Sequence, residues 1–477
     1  MGPVPELAER ATACADRLRQ ADTVLLASHI DADGLTSAAI ATTALERAGI
    51  PVETIFEKQL DEAAVARIAE TDHETALFTD FGSGQLDIIT EYADAFTPVV
   101  VDHHQPADAE TAYHCNPLLV GLDGASELSG AGAAYTLARA LEPEGGDNRD
   151  LAALAVVGAV GDMQGGVDGL TGANEGIVEE GQAAGVLTEG TDLAMYGRQT
   201  RPLPKLLEYA SDVRIPGITG NEAGAIGFLA ELDADLRADG EWKRWVDLTD
   251  SERQTVASAL LKRAVASGVS ADQVDSLIGT TYTLVDEPVG SELRDVSEFS
   301  TLLNATARYD RADVGLAVCL GERDEPLDQA RTLLRNHRKN LSEGIELVTS
   351  EGVTVEEHVQ WFDAGTRIRE TIVGIVAGMA LGSSGVRRDR PIIAFAAVED
   401  ADDRDGDDDE SELKVSARSP HSLVRQGLDL SAVMREAAQS VGGDGGGHDV
   451  AAGATIPAAE RDAFVAAVDE LVADQLG

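Results

Sequence analysis

Val24-Leu25-Leu26-Ala27-Ser28-His29-Ile30-Asp31-Ala32-Asp33-Gly34 is the stretch that decides the fold. A short apolar run breaks into His and Asp, and a helical pattern follows from Thr36 to Arg47. Such a run reads as a buried strand whose polar tip turns into a helix. The arrangement returns along the chain. Pro98-Val99-Val100-Val101 runs into Asp102-His103-His104, and Ala76-Leu77-Phe78-Thr79 runs into Asp80-Phe81-Gly82. The longer run Leu154 to Gly161, long enough to be a helix, ends at Asp162. Further helical patterns span Asp61 to Glu70 and Gly130 to Leu141. Strands alternating with helices predict a parallel sheet. In such sheets ligands gather at the carboxyl ends of the strands. Carboxylate oxygens mixed with imidazole nitrogens suit a divalent ion such as Mn or Mg. Gly34 frees the backbone ahead of a helix whose N-terminus favours anions. A lone Asp after a strand is commonly only a cap or turn residue. Four Asp/His clusters of this type together predict a two-metal phosphoesterase centre.

The clusters His29/Asp31/Asp33, Asp80, Asp102/His103/His104 and Asp162, in that order, resemble the DHH phosphoesterase superfamily, whose name spells the third of them. Near the C-terminus, Gly445-Gly446-Gly447-His448-Asp449-Val450-Ala451-Ala452-Gly453-Ala454 is similar to the glycine-rich signature of the DHH-associated domain, DHHA1. The resemblance implies an α/β fold: an N-terminal DHH domain with a parallel sheet flanked by helices, a helical middle region and a smaller C-terminal α/β DHHA1 domain. It implies that His29 and Asp31 hold one ion, that Asp33, His103 and Asp162 hold another, and that Asp80 bridges them. His104 would contact the scissile phosphate or help the leaving group, and Asp102 would orient a histidine. In the DHHA1 part, Gly446, Gly447 and His448 would meet the substrate backbone, as a loop whose amides face a phosphate. Val415-Ser416-Ala417-Arg418-Ser419 would be a strand supplying Arg418.

Leu303-Asn304-Ala305-Thr306-Ala307-Arg308, with Glu298-Phe299 upstream, resembles a segment of archaeal RecJ-like nucleases, including the GINS-associated nuclease. Asn304 and Arg308 would then touch substrate. Ala307 stands where that family often has Gly. The expectation is a metal-dependent exonuclease on single-stranded DNA or RNA, working in replication or repair with two Mn2+ (or Mg2+) ions and with GINS as a candidate partner. One alternative is an oligoribonuclease or small-nucleotide phosphoesterase, although those relatives usually lack a middle region like 200–345. Another is a non-enzymatic replisome subunit, as a relative with a degraded metal site is in the eukaryotic replicative helicase. Here every acid is intact.

At 477 residues the chain is too long for one core. The expected divisions are a catalytic domain 1–190, a connector and helical middle region 191–345, and a substrate-binding domain 346–477. Within them, 191–217 reads as a Pro- and Arg-bearing connector, Leu248 to Arg253 as a capped helix start, and Asp328 to Leu347 as a helix. The run 399–412 holds ten acids in fourteen residues and reads as a solvated hairpin insertion. Acids outnumber bases 85 to 37, a net charge of −48, and the surplus is spread over the whole chain. That is the surface expected of an extreme halophile, where salt screens self-repulsion; the alternative is an acidic partner-binding protein. It does not argue against a nucleic-acid substrate, which local Arg clusters and metals could grip. Arg331, Arg335, Arg338 and Lys339 share one helix face. They either track a nucleic-acid backbone or pair with acids nearby. No apolar run reaches the ~20 residues of a membrane span, and no signal peptide is visible, so a cytoplasmic protein is expected. Cys14, Cys115 and Cys319 form no zinc or disulfide pattern and read as small buried residues.

Overall fold

The computed structural model describes residues 2–210, 213–381, 383, 385–398 and 412–476. Of the acidic run 399–412, only Glu412 lies within the described residues.

After helix α1 (Ala8–Leu18) the chain lays down β1 (Val24–His29), α2 (Ala32–Arg47), β2 (Val52–Glu57), α3 (Glu62–Ala69), β3 (Thr75–Thr79), α4 (Leu86–Glu91), β4 (Thr97–Val101) and β5 (His114–Cys115). The five strands form one parallel sheet in the order β2-β1-β3-β4-β5. Val24 to Ala27 are all buried, which explains their unbroken apolar run: a parallel sheet covered on both faces has no polar alternation. One face packs Leu25, Ala27, Phe78 and Val100 against Val65 and Ile68 of α3 and Leu86 and Ile89 of α4. Winding leaves β1 towards β2 on one side and returns to β3 on the other. The strand order therefore reverses between β1 and β3, and their carboxyl ends flank a crevice. Helix α2 packs against α5 (Gly130–Ala140) and α6 (Ala152–Gly161), and α7 (Ala173–Ala184) follows.

The region after α7 differs from a connector. Strand β6 (Leu187–Leu193) is followed by α8 (Leu203–Glu208), α9 (Glu222–Ala230), the short hairpin β7 (Arg237–Ala238) and β8 (Glu241–Trp242), α10 (Asp250–Ala266), α11 (Ala271–Asp275) and β9 (Ile278–Leu284). β9 pairs antiparallel with β6 and closes the region on itself. Leu203, Leu206, Leu207, Ile215, Trp245, Val256 and Leu260 form its own core. Within 191–217, Pro204 sits in the first turn of α8, where a missing N–H is harmless, so the proline does not mark a linker. Thr249 and Glu252 form the capping box that starts α10.

Helices α12 (Val296–Ala307) and α13 (Ala312–Cys319) return to α2, and α12 also packs on α6. The long α14 (Glu325–Glu351) crosses the division between two compact units, residues 1–331 and 332–477. The second unit contains β10 (Thr354–Val355), β11 (Gln360–Asp363), α15 (Glu370–Ala380), β12 (Ile392–Ala397), β13 (Glu412–Arg418), α16 (His421–Val424), α17 (Leu430–Ser440), β14 (Asp444–Gly447), β15 (Ala451–Pro457) and α18 (Arg461–Leu476). Its sheet runs β10-β11-β12-β13-β15-β14 and is antiparallel except for β11 with β12. Phe395 and Val415 pack against Val433, Phe464 and Val468, while Ile392 and Ala394 pack against Ile372 and Val376. The glycine run expected to be a loop is edge strand β14. A Cβ at Gly445 would lie 2.6 Å from the carbonyl oxygen of Met434, so glycine lets α17 approach the strand closely. All three cysteines are buried and free.

Candidate metal centre

The reversal point of the first sheet collects the strand-tip residues. His29 is the last residue of β1, Asp80 follows β3 and Asp102 follows β4. Asp31 caps α2, accepting from the Gly34 amide at 3.0 Å. Asp33 lies in the first turn of α2 and is buried. Its two oxygens accept from the Gly130 and Ala131 amides, at 2.7 and 3.0 Å, at the start of α5. Asp162 is the C-cap of α6. Asp80 adopts φ 60°, a left-handed conformation that aims its carboxylate into the cluster.

Three groups have donor atoms within 4.8 Å of one another: His29, Asp31 and Asp80; Asp33, His103 and Asp162; and Asp80, Asp102, His103 and His104, of which the first two match the expected ligand sets. His29 Nδ1 lies 3.2 Å from Asp31 and 3.7 Å from Asp80. His103 Nε2 lies 3.3 Å from Asp80 and 3.8 Å from Asp33. Asp80 therefore touches a histidine of each set, one through each oxygen.

The electrostatics ask for cations at these points. Asp33 is held well above the ordinary carboxylate range, first by burial and then by the charge of Asp80. Burial likewise raises Asp162. Burial pulls His29 and His103 down, but carboxylates outweigh it. Hydrogen bonds to Asp31 and Asp80 push His29 up to about 10, and Asp80 foremost pushes His103 up to about 11. Without an ion, protonation of each imidazole offsets the acids around it; a bound cation would take over that role and leave the imidazoles neutral. Hard oxygens with imidazole nitrogens make the donor set of a divalent ion such as Mn2+ or Mg2+, so the residues fit such a group.

Asp102 is fully buried. It accepts from the amides of Ser83 (2.9 Å), His103 (2.7 Å) and His104 (3.2 Å) and meets His104 Nδ1 at 2.8 Å. The histidine it orients is thus His104, and it does so from behind, as a positioning residue. The hydrogen bond to Asp102 raises the pKa of His104, whose ring is about half exposed. His103 is oriented differently: its Nδ1 meets the Gly124 carbonyl at 2.6 Å, leaving Nε2 towards Asp80.

Several supporting residues carry no sequence signal of their own. Gln164 donates to the Gly124 carbonyl and to Asp162, both at 2.9 Å, and accepts from Asn174. Asn116 links Ser83 Oγ to the His104 carbonyl, and Ser83 Oγ also meets buried His114, whose pKa burial lowers to about 4. Gly130 and Gly158 make room for the acids. A Cβ on the first would lie 2.4 Å from an Asp80 oxygen, and one on the second 2.5 Å from an Asp33 oxygen.

The other expected contacts belong to α12, α14 and the second unit. Asn304 Oδ1 accepts from the Ala32 amide at 3.0 Å, so it braces the Asp31–Asp33 turn from α12. Arg308 is exposed at the end of that helix. Arg331 is ion-paired with Glu292 (2.5 Å) and Asp328 (3.2 Å), whereas Arg335 and Lys339 are exposed. In the second unit, Arg418 ends β13 and lies over Gly374 of α15, where a Cβ would sit 2.6 Å from its guanidinium. Gly446 and Gly447 belong to β14, and exposed His448 begins the tight turn to β15.

The comparisons agree with this geometry. Family models match for the DHH family N-terminal domain (residues 23–159), the DHH-CID domain (195–278) and the DHHA1 domain (358–474). An uncharacterised protein of Methanocaldococcus jannaschii is 28% identical over 457 residues, covering 94% of this chain and 93% of its own. RecJ from Thermus thermophilus, solved with Mn2+, superposes with a TM-score of 0.60 at 20% identity. That likeness covers 99% of this chain, which spans 55% of the RecJ chain. A second RecJ, bound to manganese, gives 0.61 at 20% identity over 99% of this chain and 96% of its own. CDC45 from Entamoeba histolytica gives 0.65 at 13% identity over 98% of both. The packed middle region, taken from sequence for a connector and helices, is the stretch that the DHH-CID model covers. Three domain matches in order, on a RecJ-like fold with its Asp and His residues gathered at the sheet's reversal point, place the chain in the DHH/DHHA1 superfamily.

Proposed function

We propose that the chain is a divalent-metal-dependent phosphodiesterase acting as an exonuclease on single-stranded DNA or RNA. The observation that carries this reading is the pair of ligand sets joined through Asp80. His29, Asp31 and Asp80 would hold one ion, and Asp33, His103 and Asp162 the other, with Asp80 shared. Divalent ions such as Mn2+ or Mg2+ held there would lower the pKa of a water and neutralise phosphate charge. The chain's own residues do the rest. The His103 Nδ1–H bond to Gly124 fixes the tautomer that turns an Nε2 lone pair inward. Asp102 anchors His104 through Nδ1, so Nε2 is the atom that can give a proton to the leaving oxygen. Arg308, Arg418, Gly446, Gly447 and His448 are the proposed contacts to the nucleic-acid backbone, and Asn304 holds the ligand turn. The acid surplus belongs to the same reading, a cytoplasmic enzyme adapted to concentrated salt.

A second reading, a replication subunit that binds GINS, draws support from the CDC45 likeness over 98% of both chains. The intact ligand sets favour the enzyme, and the two roles are compatible. The test is hydrolysis of labelled single-stranded DNA, single-stranded RNA and dinucleotides in high salt with Mn2+, Mg2+ or EDTA. Wild type should cleave only with metal, and Asp80→Ala should abolish cleavage while remaining folded by circular dichroism. An Asp80→Ala protein with wild-type rates would overturn the two-metal assignment. Equal rates on dinucleotides and long strands would select the oligoribonuclease class.

A further inference from the structure

Helix α6 ends in the hydrogen-bond pattern of a Schellman cap: the Met163 amide bonds the Val160 carbonyl at 3.1 Å, and the Gln164 amide bonds the Ala159 carbonyl at 3.0 Å. The residue after the C-cap must then be left-handed, a conformation that a Cβ opposes and that glycine adopts freely. Helix α7 ends that way on Gly185 at φ 77°. Helix α6 instead has Met163, at φ 59°. The other non-glycine residues at positive φ, among the described residues, are Asp80, Asp239 and Asp310, a type that tolerates the region through local hydrogen bonds. Met163 has no such compensation.

Nor does burial explain it. Met163 is 88% exposed, more than any other large apolar residue described. A thioether in water contributes almost no hydrophobic stabilisation, so glycine would serve the fold better on both counts. What distinguishes the position is its neighbour: Met163 directly follows Asp162, a member of the Asp33/His103/Asp162 set.

We infer that Met163 is a base-contacting residue, meeting the nucleobase of the nucleotide whose phosphodiester lies at the Asp/His cluster. The inference rests on the phosphodiesterase reading and adds how that site holds a nucleotide rather than a bare phosphate. A flexible, polarisable sulfur side chain suits this task. Every base offers a π-face, so the contact tolerates any sequence. It also carries no charge, so salt does not screen it.

The test is a cycle that pairs Met163→Gly with removal of the base. Two strands are compared, one normal and one with an abasic tetrahydrofuran residue at each terminus in turn. Met163→Gly should raise KM on the normal strand about 2- to 10-fold and change the abasic strand far less. It should also raise Tm by roughly 1–3 °C, since glycine relieves the left-handed position. Met163→Leu, similar in volume, should recover most of the affinity without the gain in Tm. Equal losses on normal and abasic strands, or no loss on either, would overturn the inference. If wild type cleaves neither strand, the phosphodiesterase reading fails. Anisotropy titrations of the same labelled strands then run the cycle on affinity: a loss confined to the normal strand supports the base contact, and equal or absent losses overturn it.

Discussion

Gly158 lies inside α6, where Gly→Ala ordinarily stabilises a helix by about 1 kcal/mol. Here the added methyl would sit 2.4 Å from Thr36 Oγ1, 2.5 Å from the Ala131 Cβ and 2.5 Å from Asp33 Oδ1. All three belong to α2 or α5, so the methyl wedges the contact between three helices. Overpacking a well-filled interior costs about 1–3 kcal/mol, which offsets the propensity gain and leaves a net loss of roughly 0–2 kcal/mol. The effect on the site should be much larger. Asp33 Oδ1 is the oxygen that accepts from the Ala131 amide at 3.0 Å, and it cannot retreat without breaking that bond. A displacement near 1 Å in a reacting centre can cost on the order of 100-fold in rate. Gly158→Ala should therefore lower Tm by only a few degrees, in keeping with that small net loss, while reducing metal-dependent hydrolysis about 100-fold. The matched control is Gly227→Ala in α9, where an added methyl would meet nothing within 4 Å. It should stabilise by about 0.5–1 kcal/mol with activity unchanged. Urea melts and initial rates on a labelled single strand decide the matter. Gly158→Ala with a raised Tm and near wild-type rate would refute the claim that the methyl's space belongs to Asp33.

Other perturbations separate the roles. His104→Ala should lower kcat by about 100- to 10,000-fold while bound metal, counted by elemental analysis, is retained; loss of metal would make His104 a ligand instead. Glu298 is fully buried, and burial first, then Asp295, pushes its pKa up to about 7. Its folded pKa thus exceeds the unfolded value, so its stability contribution is full below about pH 4.3 and disappears as pH rises through 7. Glu298→Gln should therefore gain on wild type between pH 5 and 8, by up to roughly 3 kcal/mol; parallel pH–stability curves would contradict this. Arg335→Ala with Arg338→Ala should slow long strands but spare dinucleotides. Equal slowing of both would remove α14 from the nucleic-acid path.

The candidate metal centre is legible in the sequence because its residues stand where physics makes them conspicuous. Strands buried on both faces give unbroken apolar runs, so a His or Asp at the end marks the strand's tip. The order of strands then brings His29, Asp80 and Asp102 to one crevice. The supports were not legible. The Gly130 amide that holds Asp33 is 97 residues away, and Asn304 braces the Ala32 amide from 272 residues away. Gln164 and Asn116 look like ordinary polar residues until their partners are known. Strand β6, Leu187-Thr188-Glu189-Gly190-Thr191-Asp192-Leu193, is buried only at its two ends. It shows no alternation to read, and so the closure of the middle region by β6 and β9 leaves no mark in the sequence. In β14, glycines that normally argue against a strand are instead what the close approach of α17 requires.

The basic face of α14 shows why periodicity alone could not assign a role. Arg331, Arg335, Arg338 and Lys339 are equivalent by spacing, yet they fall on either side of the division between the two units. Arg331 is held by Glu292, a nearly buried acid of the first unit, and so serves the fold there. Arg335 bonds Thr332 one turn earlier and stays exposed. Lys339 reaches Glu343 at 3.6 Å on the surface, a pair worth little in water and less in salt. A helical stripe fixes which side chains share a face, but the acids that claim them come from distant sequence. In a chain with more than two acids for each base, Arg residues that bond neutral groups are therefore more informative than the stripe itself. Among the described residues, Arg10, Arg237, Arg253 and Arg294 bond backbone carbonyls rather than carboxylates. They and Arg335, rather than Arg331, are the guanidiniums better placed to meet an anion from outside.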